Sequence, residues 1–319
     1  MKALVVSALS PDLSGTALSD VAAPQPAPGK VLVRVKAAAL NYPDLLMTRG
    51  DYQLKPPLPF IPGMEIAGEV IAGDGFAPGA AVVCGTRLGG FAELVSVDAD
   101  AVRAKPAHLS YAEAAGVGAA YLTAYVALIR LGAAQPGEWA LIHGATGGVG
   151  LAAVDLAKAL GCRVIATSRS AEKLATVAAT YPVDAAVTTP GFRERVKEIT
   201  GGGAKLIYDP VGGDTFDEST RCIAFGGRLL VVGFTSGRIA TVPTNIPLIK
   251  GFSVIGVRAG EYGRQFPDKG RENQDAIWRL AAEGRIRPHV HAEVPLDDWR
   301  AAFEMMRDSR MIGKLVLVP

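Results

Sequence analysis

Cysteine is scarce in this 319-residue chain: Cys84, Cys162 and Cys222 are its three, set far apart. An odd, scattered set argues against a disulfide framework and for a reducing compartment, with cytoplasmic as the default. Histidine is nearly as rare, at four residues, and only His289 and His291 lie close together. No third ligand stands near them, so they read as surface or strand histidines rather than a zinc site. An excess of one charge is also missing, since 33 Lys and Arg against 31 Asp and Glu leave a net +2. Without a basic block or acidic tail, binding to nucleic acid or a membrane surface gets no electrostatic support. No run reaches the ~18 apolar residues of a membrane span. The opening MKALVVSALS breaks at Ser7 before a Pro-rich stretch at 24–28, which makes a poor signal peptide.

What is present is an ordinary globular composition, 49% hydrophobic with 37 glycines and 21 prolines, long enough for two domains. Residues 31–39, 64–72, 80–83 and 91–97 read as short strands separated by Gly/Pro/Asp turns, a compact barrel-like β unit. One helix interrupts it near 43–49, with Pro43 in its first turn. From Ser110, a plausible N-cap, to Gly132 the chain is Ala-rich with helical spacing. Strands and helices then alternate: strands at 139–143, 162–168, 204–210 and 227–234, with helices between. That alternation predicts right-handed βαβ units and a doubly wound parallel sheet. Helices at 271–283 and 296–308 and a closing strand, KLVLVP, suggest that the chain end returns to the first unit. The expected domains are 1–118, 119–256 and a return segment 257–319.

The segment HGATGGVG, His143 to Gly150, follows a buried strand and opens a helix, the context that lifts a glycine pattern above chance. Read as A-x-G-x-x-G, Ala145 permits the tight turn, Gly147 lets backbone approach a pyrophosphate, and Gly150 allows close helix–strand packing. Thr146, Gly148 and Val149 complete the cradle, with free helix N-terminal amides facing the anion. An NAD-selective site places a carboxylate ~20 residues later, at the tip of the second strand. Here that tip is Ser168-Arg169, with Lys173 four residues on, so a 2′-phosphate and hence NADPH is favoured. Solvated charges at a helix start are the alternative for Arg169 and Lys173.

The stretches AAALNYPDLLMTRGDY (37–52), IPGMEIAGEV (61–70), HGATGGVG, DPVGGDTFDESTRCIAFGGRLLVVGF (209–234) and IGKLVLVP (312–319) span the chain in order. With them the chain resembles the medium-chain dehydrogenase/reductase superfamily, in its zinc-free quinone oxidoreductase (zeta-crystallin-like) branch. The resemblance implies a GroES-like catalytic domain built from both chain ends, a central Rossmann domain and a cofactor cleft between them. It also implies NADPH and commonly a homodimer formed through the Rossmann-sheet edge. Asn41 stands where zinc-dependent members carry their first Cys ligand and Met64 where they carry His. Three scattered cysteines cannot build a four-Cys site either, so no metal is expected.

Without a Lewis acid, charge developing on a substrate oxygen needs hydrogen-bond donors, which suits quinones and α,β-unsaturated carbonyls better than simple alcohols. Asn41 and Tyr52 are the candidate donors, although Asn41 can equally cap the 43–49 helix and Tyr52 can be a surface aromatic. Thr123 resembles a residue on the nicotinamide side. Gly233, Phe234 and Thr235 follow a strand C-terminal end, where open sheets bind cofactor. Lys314 either reaches the cofactor or is a surface lysine. His143 reads as structural, and no Ser/His/Asp or Cys/His set suggests covalent catalysis. An acyl-CoA substrate would need a cationic cluster, with Arg49, Arg258 and Arg264 as possible members. The leading reading is an NADPH:quinone oxidoreductase. An NADPH-dependent ene-reductase of enone, enal or acrylyl-type substrates is the close alternative, and a non-catalytic NADPH-binding protein the distant one.

Overall fold

A computed structural model describes all of residues 1–319. By its contacts the chain divides into two compact units, Met1–Ala119 with Pro288–Pro319, and Ala120–Arg287. The return segment therefore begins at Pro288 rather than at residue 257. The cause is the helix Pro267–Ala282, which stays in the second unit: Arg130 donates to Asn273 at 2.6 Å and pairs with Glu272 at 2.8 Å.

The first unit holds a seven-stranded sheet in which Lys30–Leu40 pairs antiparallel with Glu65–Gly73, Leu94–Asp98 and the C-terminal strand Lys314–Val318. Alternating apolar positions of these strands close on one core that includes Leu4, Val33, Leu40, Phe91, Phe303 and Leu317. Each such fully buried side chain is worth ~1.5–3 kcal/mol. A two-stranded ribbon, Lys2–Val6 with Thr16–Asp20, is an element the alternation pattern did not reveal. The expected helix near 43–49 is Tyr42–Arg49, stopped by Gly50 in the left-handed region at φ 78°.

The second unit is a six-stranded, wholly parallel sheet. Its spatial order is Ala185–Thr188, Arg163–Ser168, Trp139–Ile142, Ala204–Asp209, Ile223–Val231, Ser253–Gly256. Numbered along the chain that is 3-2-1-4-5-6, the doubly wound order with its switch point between Trp139–Ile142 and Ala204–Asp209. The central strands are apolar almost throughout because both faces are covered.

The Ala-rich run beyond Ser110 is not one helix. Ser110 caps Tyr111–Ala115 by accepting from the Glu113 amide, and Glu113 reaches back to the Ser110 amide. The chain breaks at Gly116-Val117, resumes as Gly118–Tyr125, and widens into π-helix over Val126–Leu131 before Gly132 ends it. The last expected strand of the sheet, 227–234, runs instead from Ile223 to Val231.

Candidate functional site

At the switch point the chain leaves Trp139–Ile142, turns through His143–Gly147, and starts the twelve-residue helix Gly148–Ala159. The left-handed residue of this turn is Gly144, at φ 57°, one position before the alanine expected to allow it. Ala145 is fully buried and its amide donates to Thr167 O at 2.9 Å, pinning the turn to the second strand. A Cβ on Gly150 would lie 2.1 Å from Gly144 O, so that glycine is required by the chain's own packing. Gly147 differs. A Cβ there would meet only Gly144 O, at 3.5 Å, so nothing inside the protein demands glycine. The space beside it fits a group from outside. The first-turn amides, Gly148 and Val149 among them, have no carbonyl one turn earlier and are free to hold an anion.

The second strand ends beside this turn. Thr146 Oγ1 lies 3.2 Å from Ser168 Oγ, which also accepts from the Ser170 amide. Ser170 caps the helix Ala171–Thr180 through the Lys173 amide. Arg169 therefore precedes the cap instead of sharing a helix face with Lys173, as a one-turn spacing would have it. Burial first, and then the charge of Arg169, lower the Lys173 ammonium pKa. Two hydroxyls at the turn, followed along the chain by Arg169 and Lys173, are residue types that suit a phosphate ester.

On the other side of the switch point, a Cβ on Gly144 would touch Pro210 and Val211. These residues follow the buried Asp209, whose Oδ1 accepts from the Val211 and Gly212 amides while Oδ2 has no partner. Burial raises the Asp209 carboxyl above the usual range. Gly233 and Thr235 donate to the Asp209 and Pro210 carbonyls, and Phe234 is 43% exposed between them. All three sit in the loop past the strand. Thr123 is half-buried on Gly118–Tyr125.

His143 is a structural residue of this unit. Its Nδ1 lies 2.8 Å from Thr167 Oγ1 and its Nε2 2.9 Å from Ser219 Oγ, with the Phe192 ring edge-on. Burial pushes its pKa down to about 3.

In the other unit, sheet register assembles a second polar cluster. Leu315 opposes Leu40 and Ile66 opposes Ala38, which brings Lys314, Asn41 and Glu65 to one end of three adjacent strands. Lys314 Nζ donates to Asn41 Oδ1 at 2.7 Å and Glu65 Oε1 at 2.9 Å, and is 3% exposed. It is no surface lysine. Asn41 Nδ2 donates to Ala39 O and Glu65 Oε1, at 3.2 and 3.0 Å. Both amide hydrogens are thus engaged, so Asn41 is not the free donor that its position suggested. It does stand at the N-cap of Tyr42–Arg49, its backbone amide bonded to Asp44. Asp44, fully buried, also accepts from the Gly63 amide, and desolvation raises its carboxyl to about 7. Glu65 and Asp44 escaped the sequence reading; the signal for Glu65 was one acid inside the apolar run IPGMEIAG. Tyr52 is half-buried and, like Met64, packs against the cluster of Val6, Met47 and Phe60.

Residues 27–107 match the family model for the alcohol dehydrogenase GroES-like domain, and residues 148–272 match that for zinc-binding dehydrogenase. The quinone oxidoreductase-like protein 2 homolog of Nematostella vectensis is 38% identical over 300 residues, which cover 90% of this chain and 81% of that protein. The acryloyl-coenzyme A reductase of Metallosphaera sedula is 29% identical over 99% of both chains. Among solved structures, the quinone oxidoreductase of Thermus thermophilus, described also as its complex with NADPH, superposes with a TM-score of 0.89 at 34% identity over 100% of both chains. The donor set does not fit zinc. Asn41 is committed to Lys314 and Glu65, Met64 offers a thioether, and the three thiols are buried apart from one another. No three His, Cys, Asp or Glu side chains come close enough to hold an ion. The chain belongs to the medium-chain dehydrogenase/reductase superfamily, in its zinc-free quinone oxidoreductase branch.

Proposed function

We propose that this protein is an NADPH-dependent reductase that passes hydride to a quinone without a metal. The observation that carries the reading is the strand tip beside the Gly-rich turn. It has no carboxylate; Ser168 Oγ lies 3.2 Å from Thr146 Oγ1 of the turn, and the chain runs on from it through Arg169 into the helix that carries Lys173. Such a tip rewards a 2′-phosphate and lacks the carboxylate that holds the ribose diol of NADH. The bound dinucleotide supplies the hydride, and the chain supplies position, dryness and hydrogen bonds. Gly147 leaves room for the pyrophosphate, and Gly233, Phe234 and Thr235 lie at the strand ends where an open sheet receives its cofactor. Tyr52 is the remaining candidate to meet charge on the acceptor oxygen or to protonate the product, because the Asn41 amide is spent on holding Lys314 and Glu65.

A second reading is reduction of an activated alkene, favoured by the likeness to an acryloyl-coenzyme A reductase. Two of the three guanidiniums considered for a CoA phosphate argue against so anionic a substrate, while the third, Arg49, has a buried Nε with no hydrogen-bond partner. Arg258 and Arg264 both converge on Glu261, at 3.7 and 2.8 Å, which offsets their charge. A panel of a naphthoquinone and small uncharged enones, run with NADPH and NADH, tests both readings. Quinone turnover with NADPH supports the first and enone turnover the second; NADPH binding with neither would make the protein a non-catalytic binder.

The same proposal extends to a homodimer in a reducing, cytoplasmic setting. Ser253–Gly256 ends the parallel sheet with one side of its ladder unpaired, and Val254, Leu248 and Ile249 near it are 38%, 81% and 73% exposed. An exposed apolar sheet edge of this kind is a ready template for a second copy. Sedimentation of the wild type against Leu248→Glu decides it: a monomer in both would refute the pairing. No helix is long and apolar enough to cross a membrane.

A further inference from the structure

We infer that Asp155 is a positioning residue, tying both places where the chain passes between its two units to the helix that carries the Gly-rich turn. The chain comes into the second unit at Ala120 and leaves it at Arg287. Tyr121, one residue inside the first passage and fully buried, donates its hydroxyl to Asp155 Oδ2 at 2.5 Å. The backbone amide of Arg287, the last residue before the second passage, donates to the same oxygen at 2.8 Å. The Arg287 carbonyl accepts from the Tyr181 hydroxyl, also at 2.8 Å, so the backbone is held on both sides of the Arg287 Cα. Arg285 bonds the carbonyl of Ala159, the final residue of the same helix, and Ile286 is 1% exposed.

The placement is costly unless it is used. Asp155 stands half-buried on Gly148–Ala159, between the buried Val154 and Leu156. An acid there is tolerated only with hydrogen bonds, and both of its bonds go to the two passages. Burial raises its carboxyl to about 6, against the opposing pull of those same two donors. The chain passages are distant in sequence, yet one carboxylate oxygen holds both. Asp155 lies seven residues beyond Gly148, roughly 10 Å along the helix at 1.5 Å per residue. A shift of this helix when its first turn takes a phosphate therefore reaches both passages together. The geometry stands by itself; its consequence for turnover rests on the NADPH reading above.

Three variants test the tie: Asp155→Ala, Asp155→Asn and Tyr121→Phe. The first removes both bonds, the second keeps an acceptor oxygen in place, and the third releases one passage only. The readouts are hydrogen exchange at the Arg287 amide, NADPH affinity by fluorescence, and kcat and KM with a naphthoquinone. In Asp155→Ala, exchange at Arg287 should quicken at least ~10-fold, and kcat per folded molecule should fall by about tenfold, as expected when a conformational step is disturbed. NADPH affinity should stay within about twofold, because the anion site itself is untouched. Asp155→Asn should recover most of both effects, and Tyr121→Phe should lower kcat partway with Arg287 exchange unchanged. Wild-type exchange at Arg287 in Asp155→Ala would overturn the proposal. So would a loss of activity that vanishes once corrected for folded protein. If the wild type bound no NADPH the cofactor reading would fail, and the exchange arm would still decide the tie.

Discussion

Lys314 Nζ and Glu65 Oε1 form an ion pair at 2.9 Å with their side chains 4% and 5% exposed, on strand ends that are 249 residues apart in sequence. Breaking one side of such a pair leaves an uncompensated buried charge and costs ~3–5 kcal/mol. Lys314→Met should therefore lower the unfolding free energy of its unit by that order, measured in urea. Glu65 would keep its bonds from Asn41 and from the Ala119 amide, but not its counter-charge. Lys314→Met combined with Glu65→Gln should regain a good part of the loss, since no charge is then stranded. A single variant as stable as the wild type would show that the pair carries no such burden.

Two glycines three residues apart separate fold from function. Gly150→Ala puts a methyl 2.1 Å from Gly144 O, so the turn must give way and the folded yield should collapse. Gly147→Ala has 3.5 Å of room and should fold with a near-native unfolding midpoint. Its methyl then occupies the space kept for the pyrophosphate, and NADPH affinity should drop by at least ~10-fold, the factor of roughly 1.4 kcal/mol. Tight NADPH binding by Gly147→Ala would remove the phosphate from this turn.

The doubly wound sheet was legible because its elements carry their own signals. WALI, VIAT and LIYD are apolar on both faces, and each helix between them opens or closes on a recognisable residue, as at Ser170 and Gly201. The Gly-rich turn and strand tip were legible for the same reason, since both lie in local sequence. Lys314, Glu65 and Asn41 were not assembled by inspection because their meeting depends on strand register, which a sequence leaves open. Asp155 is not legible for a related reason: its partners Tyr121 and Arg287 belong to the passages, and the second of these lies well beyond the composition change near residue 257. Gly144 does not stand out in an A-x-G-x-x-G pattern, because backbone φ, not side-chain size, selects the turn residue.

Cofactor choice follows from the same strand tip. Arg169 is exposed, its charge adds to burial in lowering the Lys173 pKa, and no carboxylate stands at the tip. Arg169→Asp should reverse the preference. The ratio of kcat/KM for NADPH over NADH should fall by ~10–100-fold, since a charge-assisted bond worth about 1.5–3 kcal/mol is lost and a like charge gained. Steady-state rates with both dinucleotides measure it. Equal use of NADH by the wild type would defeat the argument before any substitution.

His143 makes the acid side of the stability profile readable. Ser219 Oγ donates to the Thr215 carbonyl at 2.6 Å, so toward His143 it accepts, and Nε2 carries the imidazole proton. Thr167 then donates to Nδ1, and the ring is satisfied only while neutral. Its folded pKa is about 3 against an ordinary 6.5, so between those values the unfolded chain takes up a proton that the folded chain refuses. The contribution of His143 to stability is therefore complete above about pH 6.5 and is lost progressively as pH falls towards 3, by a few kcal/mol in all. Asp44 acts oppositely, since a folded pKa near 7 binds a proton early and favours the folded state most at low pH. The two are distinguished by following the His143 ring directly and by removing the Asp44 carboxyl. Nitrogen-15 spectra should show His143 as the neutral Nε2–H tautomer, unchanged from pH 7.5 to 4.5, while the unfolding midpoint of Asp44→Asn falls more steeply on acidification than that of the wild type. A His143 resonance titrating near 6.5 in the folded protein would overturn the assignment.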